Sequence, residues 1–381
     1  MAVTQMPGIA ASRVECGADT LRIAWSDGHD SVFHAIWLRD NCPCTGCRHP
    51  ENDQRLFDIT AIPLELGLAD ATVGADGLIA VSFAPDGHEA RFDPRWLRAH
   101  SYSDPARGER RPAPRLWGRE LEEAPPVFDH AEVSTDPRAL ARWLRALAAY
   151  GFAMLENVPL VPEEVTRVAE LFGFVRETNY GRFFDVRSVA RPINLAYTGM
   201  GLPVHTDNPY RDPVPGLQLV HCLEADADGG ESVVTDGFHV AEVLKREAPG
   251  AFELLTRHAV PFRFHDAGTD LEARAPLIAL DDLGRVTAVR YNNRSAAPFD
   301  VPAEVMPDFY AAYRRFAEIL QRPALEVGFR MGPGDLFAVD NRRVLHGRKA
   351  FAATGRRHLQ ACYADWDGLL STLHILEARE E

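Results

Sequence analysis

Residues 27–39, DGHDSVFHAIWLR, return at residues 86–98 as DGHEARFDPRWLR, with Asp-Gly-His, Phe33/Phe92 and Trp37/Trp96 in one register. This echo limits the possible folds more than any bulk property, because one local unit must form twice within the first hundred residues. In each copy an Asp-Gly pair separates two alternating stretches, LRIAWS from DSVFHAIW and IAVSFAP from EARFDPRW. Alternation puts residues i and i+2 on one face of a strand, and Asp-Gly supplies the positive φ of a tight hairpin turn. Residues 1–105 are therefore expected to form a small, mostly β domain of two related hairpin units. The segment SDPARGERRPAPRLWGRELEEAPP is charged and proline-rich, so residues 106–134 read as a linker.

From residue 135 the pattern changes. DPRALARWLRALAAYG has helical apolar spacing and stops at Gly151, and VPEEVTRVAELFG, DGFHVAEVLKREAPG and PAEVMPDFYAAYRRFAEILQRP read as further helices. Among them lie the short strands FAMLENV, LQLVHCLE, ESVVTD, RVTAVRYNN, DLFAVDN and HLQACYADW. Helices between many short strands predict an α+β domain over 135–381, built on a β-sandwich or barrel. A length of 381 residues accommodates one such domain and one smaller one.

A net charge of −14 argues against nucleic acid, whose phosphates need clustered Lys and Arg, and is compatible with a small cationic substrate. The first 30 residues hold no apolar stretch flanked by basic residues, and none approaches a membrane span; the expectation is a cytoplasmic protein. Of six cysteines, Cys42, Cys44 and Cys47 cluster, which in a reducing compartment points to metal; Cys16, Cys222 and Cys362 read as small core residues.

GLPVHTDNPYRDP, residues 201–213, sets His205 and Asp207 two places apart, on one face if the segment is a strand. Two ligands hold a metal weakly. The third is expected at His346, in GPGDLFAVDNRRVLHGRKAF, where a tight turn and the strand LFAV precede it. Two histidines and one carboxylate on one face of an octahedral ion leave three adjacent positions open, as non-haem Fe(II) oxygenases require. Eleven positions on, in GRRHLQACYADWD, Arg357, Leu359, Ala361 and Tyr363 share one strand face. An inward guanidinium needs a carboxylate, and with no acid beside it in sequence a bound dicarboxylate is a fitting partner, an internal salt bridge being the alternative.

With these residues the chain resembles the Fe(II)/2-oxoglutarate dioxygenases of the taurine-dioxygenase-like superfamily, and more narrowly the γ-butyrobetaine and trimethyllysine dioxygenase family. The blocks WLRDNCPCTGC, HTDNPYRDP, PGLQLVHCL, DNRRVLHGRKAF and RHLQACYADWD spread that likeness over nearly the whole length. The resemblance implies a double-stranded β-helix (jelly-roll) catalytic domain behind a small zinc-bearing domain, as a homodimer. It implies iron on His205, Asp207 and His346, and 2-oxoglutarate on Arg357, with ascorbate as a stimulant. Zinc needs four ligands in a closed site; the resemblance adds His88 to Cys42, Cys44 and Cys47 and makes His29 its degenerate counterpart, while His49 is the rival nearer in sequence.

The resemblance also implies an aromatic cage for a trimethylammonium group at Tyr180, Phe184, Tyr197 and Tyr363, since such a group donates no hydrogen bond and is held by ring faces. Phe184 stands where animal butyrobetaine enzymes carry tryptophan. Asn194 and Asn292 would take the substrate's anionic end, with Asn293 and Arg294 adjacent. The implied reaction is hydroxylation of γ-butyrobetaine to L-carnitine with release of succinate and CO2. 2-Trimethylaminoethylphosphonate is the alternative substrate, better suited if Arg294 turns inward, with trimethyllysine behind it. A zinc metallohydrolase and a silent betaine-binding protein are the readings from other classes.

Overall fold

Each copy of the repeat folds as a three-stranded antiparallel meander followed by a short helix. The first is β1 (Ala11–Cys16), β2 (Thr20–Trp25), β3 (Asp30–His34) and α1 (Ala35–Asp40). The second is β4 (Gly67–Val73), β5 (Ile79–Ala84), β6 (Glu89–Phe92) and α2 (Pro94–Ala99), and α3 (Asp104–Glu109) follows. The Asp-Gly turns lie where expected, with Gly28 and Gly87 at φ +84° and +66°, a region open to glycine without strain. The Trp-Leu-Arg of each copy is helical, a correction to the extended reading of DSVFHAIW and EARFDPRW. In both copies alternation carries only as far as Phe33 and Phe92; Leu38 and Leu97 on the helices then complete the buried set. The computed structural model describes residues 8–111, 114–187, 200–226, 229–351 and 356–380, and the chain divides into two units at residue 113.

The second unit is led by β7 (Val127–Asp129), α4 (His130–Thr135), α5 (Pro137–Tyr150), β8 (Phe152–Glu156) and α6 (Glu164–Glu170). Much of the segment read as a linker thus carries structure: α3, a 3-10 turn at Arg119–Glu122, β7 paired in parallel with β8, and α4. Buried side chains explain why: Ala106 on α3, Leu121 and Val133 are all buried, and Trp117, 2% exposed, donates its indole N–H to Tyr150 O at 2.7 Å.

Eight strands then divide between two sheets, alternating except that β12 and β17 are neighbours in one of them: β9 (Phe184–Val186), β10 (Leu202–His205), β11 (Leu217–Ala225) and β12 (Ser232–Asp236), and after an insertion β17 (Glu326–Phe329), β18 (Leu336–Asp340), β19 (Val344–Arg348) and β20 (Arg357–Ala364). One sheet has the order β7-β8-β18-β11-β20-β9 and the other β10-β19-β12-β17. This is the double-stranded β-helix. The insertion holds α7 (Gly237–Glu247), α8 (Pro249–Arg257), the hairpins β13 (Ala259–His265)/β14 (Asp270–Pro276) and β15 (Ile278–Leu280)/β16 (Val286–Val289), and α9 (Met306–Leu320). The helix α10 (Trp366–Glu380) ends the described chain, and no described helix is long and apolar enough to cross a membrane.

Side-chain alternation sorts the large sheet. Leu217, Leu219, Leu336, Ala338 and Cys362 pack outward among α5, α6 and α10, while Val220, Phe337, Val339, Leu359 and Ala361 face the interior between the sheets. Burial on both faces explains why these strands read as near-continuous apolar runs. At the start of β19 the fully buried Arg343 grips Asp236 through Nε at 3.0 Å and Nη2 at 2.8 Å. Breaking such a pair from one side costs about 3–5 kcal/mol.

Candidate active site and metal centres

The antiparallel pairing of β10 with β19 places His205 directly opposite His346, with ring centroids 4.7 Å apart. Asp207 is not on the strand, which ends at His205, so the same-face reading of 205 and 207 is corrected. Past the strand end the backbone finds side-chain partners instead. Thr206 N donates to Tyr291 O at 2.8 Å, and the Asn341 amide takes both Asp207 backbone groups. The carboxylate still returns to His205, with Oδ1 3.1 Å from its Nε2, while Oδ2 lies 3.8 Å from His346 Nε2. Gln218 Nε2 and Tyr363 OH each donate to Oδ2 at 2.7 Å, which leaves Oδ1 as the ligand oxygen.

The donor set fits a divalent cation. His205 Nδ1 lies 2.9 Å from Pro203 O, which only accepts, so in the neutral imidazole Nδ1 carries the proton. Nε2 then turns a lone pair on Asp207 Oδ1 with no proton between them, a clash that an ion relieves. Adjacent ligands about 2.1 Å from an octahedral ion lie roughly 3.0 Å apart, close to the His205–Asp207 separation. Burial opposes ionisation of Asp207, yet the polar groups packed around it, the donating Tyr363 hydroxyl among them, hold its carboxyl well below the usual range. Desolvation takes His346 down to about 3 despite the pull of Asp207. At neutral pH these two groups are an anion and a neutral imidazole, the forms a metal binds.

A cavity of about 90 Å³ opens beside the triad, lined among others by Phe184, Gln218, Arg348, Arg357, Leu359 and Ala361. Arg357 stands at the start of β20, on the face shared with Leu359 and Ala361. Burial pushes its guanidinium pKa down, its carbon lies 5.5 Å from the Phe351 ring, and no carboxylate pairs with it among the described residues. A buried guanidinium in a cavity without an acid fits a small dicarboxylate.

Beyond the triad the rings of Tyr180, Phe184 and Tyr363 form a row with centroid spacings of 5.6 and 5.4 Å. Burial, with the Asp207 charge behind it, raises Tyr363 well above the ordinary phenol range, so it remains a hydrogen-bond donor. Asn292 is buried and partly committed to backbone: Nδ2 donates to Thr206 O at 3.3 Å and Oδ1 accepts from Arg294 N at 3.2 Å. Asn194 and Tyr197 lie outside the described residues. Sequence reasoning missed Gln218, Asn341 and Tyr210, whose hydroxyl is 3.1 Å from that of Tyr180. Gln218 had a signal, a lone amide between apolar neighbours on a strand buried on both faces.

In the first unit, Cys42, Cys44, Cys47 and His88 converge, and His49 is not in the group. His88 Nε2 lies 3.1, 3.8 and 3.7 Å from the three sulfurs. Tetrahedral zinc with bonds of about 2.3 Å to sulfur and 2.0–2.1 Å to nitrogen gives edges near 3.6 Å. Burial and the two neighbouring thiols push Cys42 up to about 12, so three thiolates coexist there only around a cation. Burial and Arg39 lower His88, keeping the imidazole neutral.

The model of the taurine catabolism dioxygenase TauD, TfdA family matches residues 109–363, and that of the gamma-butyrobetaine hydroxylase-like N-terminal family matches residues 13–83. Gamma-butyrobetaine dioxygenase of Pseudomonas sp. (strain AK-1) is 43% identical over 364 residues, 94% of this chain and 94% of that protein. The Homo sapiens gamma-butyrobetaine dioxygenase is 34% identical over 96% of each chain, and the trimethyllysine dioxygenase of Meyerozyma guilliermondii 33% identical over 94% of each. Among solved structures, the crystal structure of AAD-2 in complex with Mn(II) and N-oxalylglycine aligns with a TM-score of 0.51 and 14% identity, over 66% of this chain and 97% of that one, a likeness of fold. With a family model across two thirds of its length and relatives above 30% identity end to end, the chain belongs to the TauD, TfdA dioxygenase family, alongside the gamma-butyrobetaine and trimethyllysine dioxygenases.

Proposed function

We propose that the chain hydroxylates γ-butyrobetaine to L-carnitine, consuming 2-oxoglutarate and O2 and releasing succinate and CO2. The observation that carries this reading is Arg357, a buried cation without an acidic partner among the described residues, on the same cavity as His205, Asp207 and His346. In this reading the three triad residues hold Fe(II), Arg357 takes the far carboxylate of 2-oxoglutarate, and Cys42, Cys44, Cys47 and His88 hold a structural zinc. Iron with 2-oxoglutarate supplies the activation of O2 and the oxidising power for C–H hydroxylation.

The protein's own part is positioning. Tyr180, Phe184 and Tyr363, with Tyr197, hold the trimethylammonium group by cation–π attraction. Asn194 and Asn292 take the carboxylate at the other end, which aims the carbon between them at the metal. Gln218 and Tyr363 fix the carboxylate of Asp207 through its second oxygen, so one hydroxyphenyl group both walls the cage and steadies a metal ligand. The reading includes a homodimer in the cytoplasm, which light scattering and cell fractionation test.

One observation favours the trimethylated phosphonate as a second substrate. Arg294 is an exposed side chain close enough to Asp207, Tyr180 and Tyr210 for their charges to act on it, and its guanidinium carries no ion pair among the described residues. A cation near the open side of the site suits a dianionic head group. Protein purified without oxygen, loaded with Fe(II) and mixed with 2-oxoglutarate and O2, should form succinate in step with γ-butyrobetaine. Faster turnover with 2-trimethylaminoethylphosphonate or trimethyllysine reassigns the substrate. Betaine binding without succinate, or hydrolysis without O2, rejects the dioxygenase reading.

A further inference from the structure

The two copies of the N-terminal repeat exchange contacts. His88, from the second copy, meets the loop after α1 of the first; His29, from the first, meets the loop after α2 of the second. His29 Nε2 lies 2.9 Å from Ser103 Oγ and 3.4 Å from Ser101 Oγ. Arg39 Nε donates to Asp86 Oδ2 at 3.0 Å, and its counterpart Arg98 Nε donates to Asp27 Oδ2 at 2.9 Å. Trp37 and Trp96 meet each other with centroids 5.6 Å apart. Contacts of residue i with j' and j with i' are the mark of a twofold relation, here between two halves of one chain.

The correspondence extends to the metal ligands. Asp27 and Asp86 are 59 positions apart, and the same step carries Cys42 to Ser101, Cys44 to Ser103 and Cys47 to Ala106. The backbone follows suit. Cys42 N donates to Arg39 O at 3.3 Å and Ser101 N to Arg98 O at 3.3 Å; Arg48 N donates to Cys44 O at 2.9 Å and Arg107 N to Ser103 O at 2.9 Å. Both histidines follow the same turn, with the backbone N of His29 and of His88 each 3.0 Å from the aspartate carboxylate two residues earlier. Burial agrees as well: Cys42 and Ser101 are 0% and 1% exposed, Cys47 and Ala106 3% and 1%.

We propose that the N-terminal unit is a duplicated metal-binding unit with two equivalent cradles, and that the cradle at His29 is a zinc site whose three thiols are replaced by Ser101, Ser103 and Ala106. Serine hydroxyls do not become thiolate-like ligands at neutral pH, so this pole holds no zinc. Hydrogen bonds close it instead: Trp25 Nε1 donates to Ser31 Oγ and Ser31 Oγ to Ser101 Oγ, both at 2.8 Å, and Ser103 meets His29. One pole is cross-linked by an ion and the other by a network of hydroxyls. The histidine and the loop backbone remain in place for a second ion.

The test restores the thiols in the full chain with the triple variant Ser101→Cys, Ser103→Cys, Ala106→Cys. Co(II) serves as the probe, because its sulfur charge-transfer absorption reports thiolate sites and is silent for the His205/Asp207/His346 site. The absorption at saturation should about double over that of the natural protein, matching a second set of three thiolates. Adding His29→Ala to the triple variant should shift or weaken the new half, while His29→Ala alone leaves the original band unchanged. An undoubled band in a folded variant overturns the proposal. So does a variant that stays unfolded with zinc supplied, since an equivalent cradle is closed by its ion. A natural protein without any sulfur–cobalt band overturns both sites together.

Discussion

Asn341, 134 positions beyond Asp207 in the chain, holds that aspartate's backbone from both sides, accepting from Asp207 N at 2.7 Å and donating to Asp207 O at 3.0 Å. A second donation from its Nδ2 reaches Pro215 O at 3.1 Å. The side-chain amide acts as a short piece of neighbouring strand where β10 has ended. Asn341→Ala should weaken Fe(II) or Mn(II) binding about 10- to 100-fold, the usual cost of losing an outer partner of a metal ligand. Equilibrium dialysis with Mn(II) measures it; native affinity in a folded variant would remove the positioning role.

Tyr363→Phe keeps the ring and deletes the 2.7 Å hydrogen bond to Asp207 Oδ2. A hydrogen bond to a charged group is worth about 1.5–3 kcal/mol. The KM for the trimethylammonium substrate should stay within about threefold, since cation–π attraction survives, while Mn(II) affinity and kcat fall. A rise in KM alone would make Tyr363 a cage wall and nothing more.

Arg357→Ala should raise the KM for 2-oxoglutarate about 10- to 150-fold, the equivalent of losing a charge-assisted pair worth about 1.5–3 kcal/mol. Arg357→Lys should recover only part of this, because an ammonium cannot pair in the bidentate geometry. Steady-state kinetics in 2-oxoglutarate at saturating substrate decides, and an unchanged KM refutes the assignment.

Cys44→Ser should release zinc and lower the melting temperature of the N-terminal unit. Seventeen residues make up its buried apolar cluster, a small core for a hundred residues, and such cores depend on cross-links. Metal analysis alongside calorimetry, with and without chelator, checks this. A chelator-insensitive melt would leave the zinc without a structural role.

His221 carries a pH dependence away from both metals. It is fully buried on β11, and desolvation lowers it from 6.5 to about 4. Between these values the unfolded chain binds the proton and the folded one does not, so stability rises with pH across this window. The cost of going below it is about 3 kcal/mol. Urea unfolding of His221→Leu at several pH values from 4 to 7 should give a shallower acid limb than the natural protein, and parallel limbs would contradict the assignment.

The local features were legible where covalent geometry sets them. Asp-Gly announced both hairpins, Gly151 in a left-handed conformation ended α5 as its position implied, and period-two reading of β20 put Arg357 on the cavity and Tyr363 on the same face beside Asp207. Composition misled at residues 106–134, because charge and proline are surface averages, whereas a few buried side chains, Ala106, Trp117, Leu121 and Val133, hold that segment in place. The hairpin β13/β14 was missed for a similar reason: AVPFRFH and DLEARAP carry polar and proline residues that a two-stranded hairpin outside the main sheets tolerates.

The sequence alone determined which groups are present and which share a strand face, since the pleat and the turn dihedrals act over two to four residues. The three distant metal-competent groups and the unpaired arginine were therefore visible before any fold was known. Tertiary structure alone decided that His88 and not His49 joins the cysteines, that Asp207 lies past the strand end under Asn341, and that the repeats exchange their histidines. These depend on sheet register and crossed packing between residues tens to hundreds of positions apart. No local propensity encodes such pairings, because their free energy arises only when the two distant surfaces are already in contact.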